Sequence, residues 1–489
     1  MRNYSARYRQ YAHGFGCLCH SPEITQLNER ISQGLSRRSV LSGLAAIMAG
    51  AVVADPVSAL AQQVPAAVVA QPVLLKNLRI FDGKSSKLIE GQNVLISGDR
   101  IADILKASEK VTDAKEVDCG GRVLMPGLID AHWHSILAAI PQMVAMTSDI
   151  AYVHLVAVQE AQRTLMRGFT TVRDMGGPSF ALKRAVDEKR IPGPRIYPSG
   201  AMVSQTSGHG DFRQRSDIPR HSANDLSLAE SAGIATIADG EAEVLRRVRE
   251  QLMLGASQIK IMVGGGVASA YDPLDSLQFT EAEIRAAVMA AKDWGTYVGA
   301  HVYTSAGIQR ALACGVQSIE HGQLADEETV KQMADAGAWW SIQPFLADED
   351  ANVYASQVQS DQQKMIAEGT IRAFELGPKY NVKMAWGTDI LFNPKGTASQ
   401  GRQLTKLARW FDNADVLKMA TGTNAELLAM SGNRNPYAGA IGVIEKGAMA
   451  DMLLIDGNPL EDISLIADPD KNMKLIIKDG VIHKNTLAA

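Results

Sequence analysis

The sequence predicts an α/β protein: a (β/α)8 TIM-like barrel carrying a small β-sandwich domain built from the N- and C-terminal segments. Three observations carry that expectation. Between residues 125 and 433, apolar runs that read as strands alternate with amphipathic helical stretches, the pattern of repeated β-then-α units around a parallel sheet. The flanking segments, 73–124 and 434–489, share a texture of short strands with turn signals, so they are expected to pair into one small β domain. Finally, His132, His134, Lys260, His301, His321 and Asp389 are dispersed over the central region, each beside an apolar run. A (β/α)8 barrel brings such groups together, because its active-site residues come from the C-terminal ends of several strands. A doubly wound open sheet is the alternative, and it would gather ligands around a single switch point.

Composition narrows the class without naming a chemistry. A chain of 489 residues is long enough for one large domain and a smaller one. Its 46% hydrophobic and 21% charged content is that of an ordinary globular protein. The formal net charge of -4, with acids and bases interleaved, offers no basic stripe. Nucleic acid is therefore not an expected partner.

Taken in order, residues 1–61 read as an export signal with a long n-region. Ser36-Arg37-Arg38-Ser39-Val40-Leu41 precedes an alanine-rich apolar run from Val40 to Val53, and Ala59-Leu60-Ala61 offers a small-residue cleavage site. This segment resembles a twin-arginine export signal, and the resemblance implies delivery of a folded protein to the periplasm. The apolar run is shorter than the roughly 20 residues that span a bilayer, so a cleaved signal is expected rather than a stable membrane anchor. A chance Arg-Arg pair before an alanine-rich helix is the plain alternative. Of the four cysteines, Cys17 and Cys19 would leave with the signal, and Cys119 and Cys314 alone make no disulfide framework. Cys17-Leu18-Cys19-His20 lacks a second ligand pair and is a weak metal motif.

A Pro/Ala/Val-rich linker over 62–72 leads into the first β segment, 73–124, where Val73 to Ile80 forms a strand and Asp82-Gly83 and Ser97-Gly98-Asp99 mark turns. The barrel opens at Met125-Pro126-Gly127-Leu128-Ile129-Asp130-Ala131-His132-Trp133-His134. Residues two apart in a strand point to the same side, so both imidazoles can reach one metal, for which imidazole is a common ligand. Two surface histidines would give the same pattern. Lys260 sits inside an apolar strand, where an unpaired ammonium is costly to bury. It either snorkels or pairs with a carboxylate, or it is modified by carbon dioxide to a carbamate able to bridge two cations.

His301 ends another strand, and His321 lies in Gln317-Ser318-Ile319-Glu320-His321-Gly322, where a strand meets a glycine. Either could be a satisfied core histidine, but two on successive strands form a pattern. Asp389 closes Trp386-Gly387-Thr388-Asp389, as a helix cap or as a metal contact that also moves a proton. Gly264-Gly265-Gly266 lets backbone approach closely, yet without a P-loop lysine and hydroxyl it is no phosphate cradle. Trp339, Trp340 and Phe345 are pocket or core aromatics. His154, His221 and His483 carry no assignment.

Together these residues resemble the binuclear branch of the amidohydrolase superfamily, over nearly the whole chain after the signal. Gly442-Val443-Ile444-Glu445-Lys446-Gly447-Ala448-Met449-Ala450-Asp451 and Gly457-Asn458-Pro459-Leu460 are typical of it as well. The resemblance implies two divalent ions, zinc foremost. His132, His134 and Asp389 would bind the first, His301 and His321 the second, and a carboxylated Lys260 would bridge them. Within the superfamily the chain is similar to Xaa-Pro dipeptidases and ochratoxin-hydrolysing amidases, on the Gly255 to Lys260 approach, the glycine-rich Val263 to Ser269, and Tyr303 two residues after His301. Where that group tends to read Thr-Gly-Gly-His-Gly, this chain has Thr206-Ser207-Gly208-His209-Gly210.

The function expected from the resemblance is hydrolysis of an amide in an N-acyl amino acid, an Xaa-Pro-like dipeptide or an amide-linked toxin such as ochratoxin A. Two cations sharing a water lower its pKa and polarise the carbonyl, Asp389 takes the proton, and His209 donates to the carbonyl oxygen or is a loop histidine without a role. Tyr303 is a candidate contact for the α-carboxylate of the leaving amino acid, or mouth packing. A small-molecule amide is the expected partner, and a homo-oligomer the expected assembly. The alternatives are a single-metal imidazolonepropionase-like hydrolase or heterocycle deaminase of the same fold, which lack the bridging lysine, and, more remotely, a non-catalytic assembly module, which would lack metal ligands.

Overall fold

The computed structural model describes residues 71–487 apart from 221, 223, 224, 270 and 355. The expected export signal over 1–61 and the linker up to residue 70 lie outside the described residues, as do Cys17 and Cys19. The chain begins with strands β1 (Val73–Ile80), β2 (Gln92–Ser97), β3 (Arg100–Lys106) and β4 (Lys115–Pro126). Then come β5 (Leu128–Trp133), β6 (Phe169–Asp174), β7 (Arg195–Pro198), β8 (Met202–Ser204) and β9 (Ala235–Ile237). They continue as β10 (Ile259–Met262), β11 (Val298–Thr304), β12 (Ser318–Leu324), β13 (Trp339–Ile342) and β14 (Lys383–Trp386). The last three are β15 (Met452–Ile455), β16 (Met473–Lys478) and β17 (Val481–Asn485).

Strands from the two ends of the described chain share one seven-stranded sheet, ordered β17-β16-β15-β4-β1-β2-β3. Its sequence alternates because it faces two cores. Met452, Leu454, Leu475 and Ile477 pack with Leu75, Ile80 and Val94 in the core of this sheet, while Leu453, Ile455 and Ile476 join the core of the barrel. Successive side chains of a strand point to opposite faces, so one apolar run supplies both.

The central strands form the parallel wall of a (β/α)8 barrel, as a three-stranded sheet β5-β6-β7 and a seven-stranded sheet β14-β13-β12-β11-β10-β8-β9. Side-chain amides close the two seams. At one, Gln258 donates to the carbonyls of Asp174 (3.0 Å) and Tyr197 (2.8 Å), beside a Ser257 N–H to Pro198 carbonyl bond of 2.7 Å. At the other, the Asn424 amide donates to the carbonyls of Ile129 and Trp386, both at 2.8 Å, and the Asp389 N–H donates to the His132 carbonyl at 2.8 Å. Each bond occupies a buried backbone group at the seam between the two sheets.

The helices between strands follow the sequence pattern. Helix Glu281–Asp293 starts at Thr280, whose side chain accepts from the Glu283 N–H in a capping box, and it buries Ile284, Ala287 and Ala291 on one face. No described helix is long and apolar enough to cross a membrane.

Candidate metal centre

His132 is the fifth residue of β5, and His134 follows one residue past its end. Both face the barrel interior, while Trp133 between them packs outward with Ile136, Leu137 and Val172. Facing residues arrive from the other strands: Lys260 within β10, His301 within β11, His321 within β12 and Asp389 just beyond β14. All six expected ligands thus converge on one end of the barrel. Asp389 Oδ1 is 3.0 Å from His134 Nε2 and 3.4 Å from His132 Nε2, and Asp389 Oδ2 is 3.8 Å from His321 Nδ1. Lys260 Nζ lies 3.5 Å from His132 Nε2. The His301 and His321 rings sit 4.5 Å apart.

Two backbone conformations bring these groups together. Glu320 and His321 are neighbours in a strand and should point to opposite faces. Yet His321 has φ 77°, which turns it inward as well. Asp389 has φ 51° and swings from the end of β14 back over β5. Left-handed backbone at a non-glycine residue costs energy and concentrates at functional sites. Gly387 makes this turn possible, since a Cβ there would lie 2.3 Å from the His132 nitrogen.

Hydrogen bonds preset the imidazoles as ligands. Each of the four places one ring nitrogen on an acceptor, which requires that nitrogen to carry the proton. His132 Nδ1 donates to Glu320 Oε2 (2.9 Å), His134 Nδ1 to the Gly176 carbonyl (3.0 Å), His321 Nδ1 to Gln343 Oε1 (2.7 Å) and His301 Nε2 to the Gly265 carbonyl (3.2 Å). In His132, His301 and His321 the other nitrogen keeps its lone pair, the arrangement that metal-ligating histidines show, while His134 Nε2 faces Asp389 Oδ1 at 3.0 Å.

Electrostatics point the same way. Burial pulls His132 down to about 4, and burial also holds His301 and His321 well below the usual imidazole range. Neutral imidazole is the ligating form. Burial opposes the Asp389 charge, but His132, His134 and His321 outweigh it and keep the carboxyl ionised well below its ordinary range. Lys260 is only 2% exposed, and among the described residues it forms no ion pair. Burial lowers it to about 8, so the neutral, nucleophilic amine is easier to reach than in an exposed lysine.

The donor set fits a divalent cation. His132, His134 and Asp389 offer ligand atoms that all lie within 4.8 Å of one another, a mixture of imidazole and carboxylate suited to zinc and similar ions. These three residues form a candidate metal site.

Beneath the site lies a support that the sequence reading overlooked. Glu320 takes hydrogen bonds from His132 Nδ1, Arg173 Nη2 (2.7 Å) and Ser318 Oγ (2.6 Å). Arg173 and Glu320 are both fully buried. Burial would neutralise Glu320, but the Arg173 charge and His132 hold it well below its usual range. Arg173 also donates to the Ala131 carbonyl (2.5 Å), Tyr297 Oη (3.1 Å) and Ser341 Oγ (3.0 Å). Gly299 makes room for the carboxylate, for a Cβ there would fall 2.9 Å from Glu320 Oε1. The available signal was the one used for Lys260: a charged residue inside an apolar strand needs a buried partner.

His209 and Tyr303 border the same cluster. The His209 ring stacks on His301 at 4.0 Å and 13°, and Tyr303 stacks on His321 at 5.1 Å and 21°. The glycines of Gly264-Gly265-Gly266 accommodate this chain's own atoms: Cβ atoms would lie 1.9 Å from the Pro273 carbonyl at Gly265 and 2.0 Å from the His209 ring at Gly266. Trp339 and Trp340 take the core alternative, and Trp340 Nε1 donates to the His321 carbonyl at 2.6 Å. Phe345 lies 6.2 Å from the His321 ring and packs with Tyr303 and Tyr354.

Comparisons with known proteins agree with this geometry. The sequence model of the amidohydrolase family matches residues 123–482. Ochratoxinase from Aspergillus niger is 32% identical over 386 residues, covering 74% of this chain and 76% of the fungal protein. Among solved structures, a prolidase complexed with N-methylphosphonate-L-proline is similar with a TM-score of 0.78 and 35% identity, over 85% of this chain and all 100% of that one. A Xaa-Pro dipeptidase with bound methionine gives 0.74 and 28%, with the same coverage. The family match spans most of the chain and includes every strand that feeds the centre. This chain therefore belongs to the amidohydrolase family and is a hydrolase acting on carbon–nitrogen bonds.

Proposed function

We propose that this protein hydrolyses the amide bond of an N-acyl amino acid, an Xaa-Pro-like dipeptide or an amide-linked toxin such as ochratoxin A, using two divalent ions, zinc foremost. The observation that carries the reading is Lys260: a buried amine that forms no ion pair among the described residues, 3.5 Å from His132 Nε2. His132, His134 and Asp389 hold the first ion, His301 and His321 the second, and carboxylated Lys260 joins them. The ions supply water activation and carbonyl polarisation. The likeness to ochratoxinase, prolidase and Xaa-Pro dipeptidase supports an amide substrate with an amino-acid half.

The chain's own groups do the remaining work. Asp389 accepts the proton of the attacking water and passes it to the leaving nitrogen, a role that its place beside His132 and His134 in the candidate metal site supports. His209 contacts the scissile carbonyl oxygen, and Tyr303 contacts the α-carboxylate of the leaving amino acid. Export to the periplasm by the twin-arginine route and assembly as a homo-oligomer complete the proposal.

A single-ion reading has one observation in its favour: His132, His134 and Asp389 make a complete three-ligand group by themselves. The test for both is a screen of N-acyl amino acids, dipeptides and ochratoxin A with metal-replete protein, with metal per chain measured on the same batch. Two ions and amide turnover are expected. One ion, with full activity retained in Lys260→Ala, selects the single-ion reading, and turnover of esters or lactones alone refutes the amidase assignment.

A further inference from the structure

We propose that Asp272 is a positioning residue for His209, and that residue 266 is glycine so that the His209 ring can lie flat against the chain there. The inference rests on the reading of His209 as a substrate contact and deepens it. Asp272 stands on the loop after β10 and is 8% exposed. Its Oδ2 faces His209 Nδ1 at 3.1 Å and also accepts from the Gly266 N–H (3.0 Å) and Gln278 Nε2 (3.2 Å). A carboxylate only accepts, so Nδ1 carries a proton. The Gln278 side chain in turn accepts the backbone N–H of His209 at 2.8 Å. Ring and backbone of His209 are therefore tied into one network centred on Asp272.

The two faces of the ring are held as well. His301 stacks on His209 at 4.0 Å and 13°, and a Cβ on Gly266 would lie 2.0 Å from His209 Cε1. Ser269 Oγ is a second neighbour of Nδ1 at 3.2 Å. Among the described residues Nε2 has no hydrogen-bond partner, so it is the nitrogen left for substrate. The arrangement follows the logic by which a carboxylate orients a reacting histidine through its far nitrogen. It also explains the glycine-rich motif, whose third glycine leaves room for the ring.

The test combines spectroscopy and kinetics on the zinc-loaded enzyme. Nitrogen-15 NMR of histidine-labelled protein, with His209 assigned by its loss in His209→Gln, should show a protonated Nδ1 in the parent and a changed signal in Asp272→Ala. On any amide the parent hydrolyses, Asp272→Ala should lower kcat about 10- to 100-fold with KM within roughly twofold, the mark of a lost transition-state interaction. Asp272→Asn, whose amide oxygen still accepts from Nδ1, should retain more activity than Asp272→Ala. The double variant Asp272→Ala/His209→Gln should be no worse than His209→Gln, and Gly266→Ala should match His209→Gln while keeping its metal. An unprotonated Nδ1 in the parent, or losses that multiply in the double variant, overturns the proposal. A parent that hydrolyses no amide refutes the functional reading instead, and the NMR signal still decides the pairing.

Discussion

Replacing Arg173 by leucine tests whether the metal centre stands on the buried Arg173–Glu320 pair. Both side chains are 0% exposed and lie 2.7 Å apart. Removing one partner strands the other charge without solvent, at a cost of about 3–5 kcal/mol. The lost hydrogen bonds to Ala131, Tyr297 and Ser341 fall within that figure, because groups of one network do not add. Glu320→Leu should cost a similar amount and also free His132 Nδ1, weakening metal affinity roughly 10- to 100-fold. In Arg173→Leu/Glu320→Leu no buried charge of the pair remains. That double variant should be less destabilised than the two singles summed, by at least about 2 kcal/mol. Denaturant unfolding of metal-free protein reads the stability and avoids confusing it with metal loss. A cost below about 1 kcal/mol for Arg173→Leu, or additive singles, would refute this account of the support.

Other outcomes follow from the same geometry. Lys260→Ala should lower the metal count per chain and the amide activity together, while Lys260→Ala with added short-chain carboxylic acid should recover part of both if a bridging carboxylate is what was lost. Gly387→Ala should destabilise the fold by about 1–3 kcal/mol, the usual cost of overpacking, because its Cβ would meet the His132 backbone at 2.3 Å; a variant as stable as the parent would show that the β5–β14 seam yields easily. Chelation should abolish activity and lower the thermal midpoint, with both restored by added zinc. Asp479 offers a pH test. Burial raises its pKa, but Lys478 and Arg195 more than compensate, and the net shift is downward from 3.8. A carboxyl depressed in the folded state stabilises above its unfolded pKa and loses that contribution as pH falls through the folded value. Asp479→Asn should therefore cost about 1–2 kcal/mol near neutral pH, with the gap from the parent closing below about pH 4.

Much of the centre was legible in the residues because its chemistry is unusual for their places. Histidines two apart in a strand, a lysine within an apolar run and an aspartate after a strand are each costly or coincidental unless something uses them. Glu320 obeyed the same logic and was overlooked, because the glutamate stood beside a histidine that already drew the inference. Arg173 lies in β6, and its partner Glu320 stands on β12, a pairing that only the closed barrel makes. The glycine-rich motif was open for a different reason: a glycine declares that something comes close, and only the fold says what. Here it is Pro273 and the His209 ring.

By itself the sequence determined the barrel class, the pairing of its two end segments and the set of residues that meet, since hydrophobic period and burial cost are properties of residue types in order. Tertiary structure decided how they meet. His321 and Glu320 both face inward only because a left-handed φ breaks the strand's alternation, and Asp389 reaches His134 only because Gly387 lets β14 turn against β5. Each imidazole is preset by an acceptor brought from elsewhere in the chain, as far away as Glu320, 188 positions after His132. Such partners are chosen by packing in three dimensions, which local sequence does not encode.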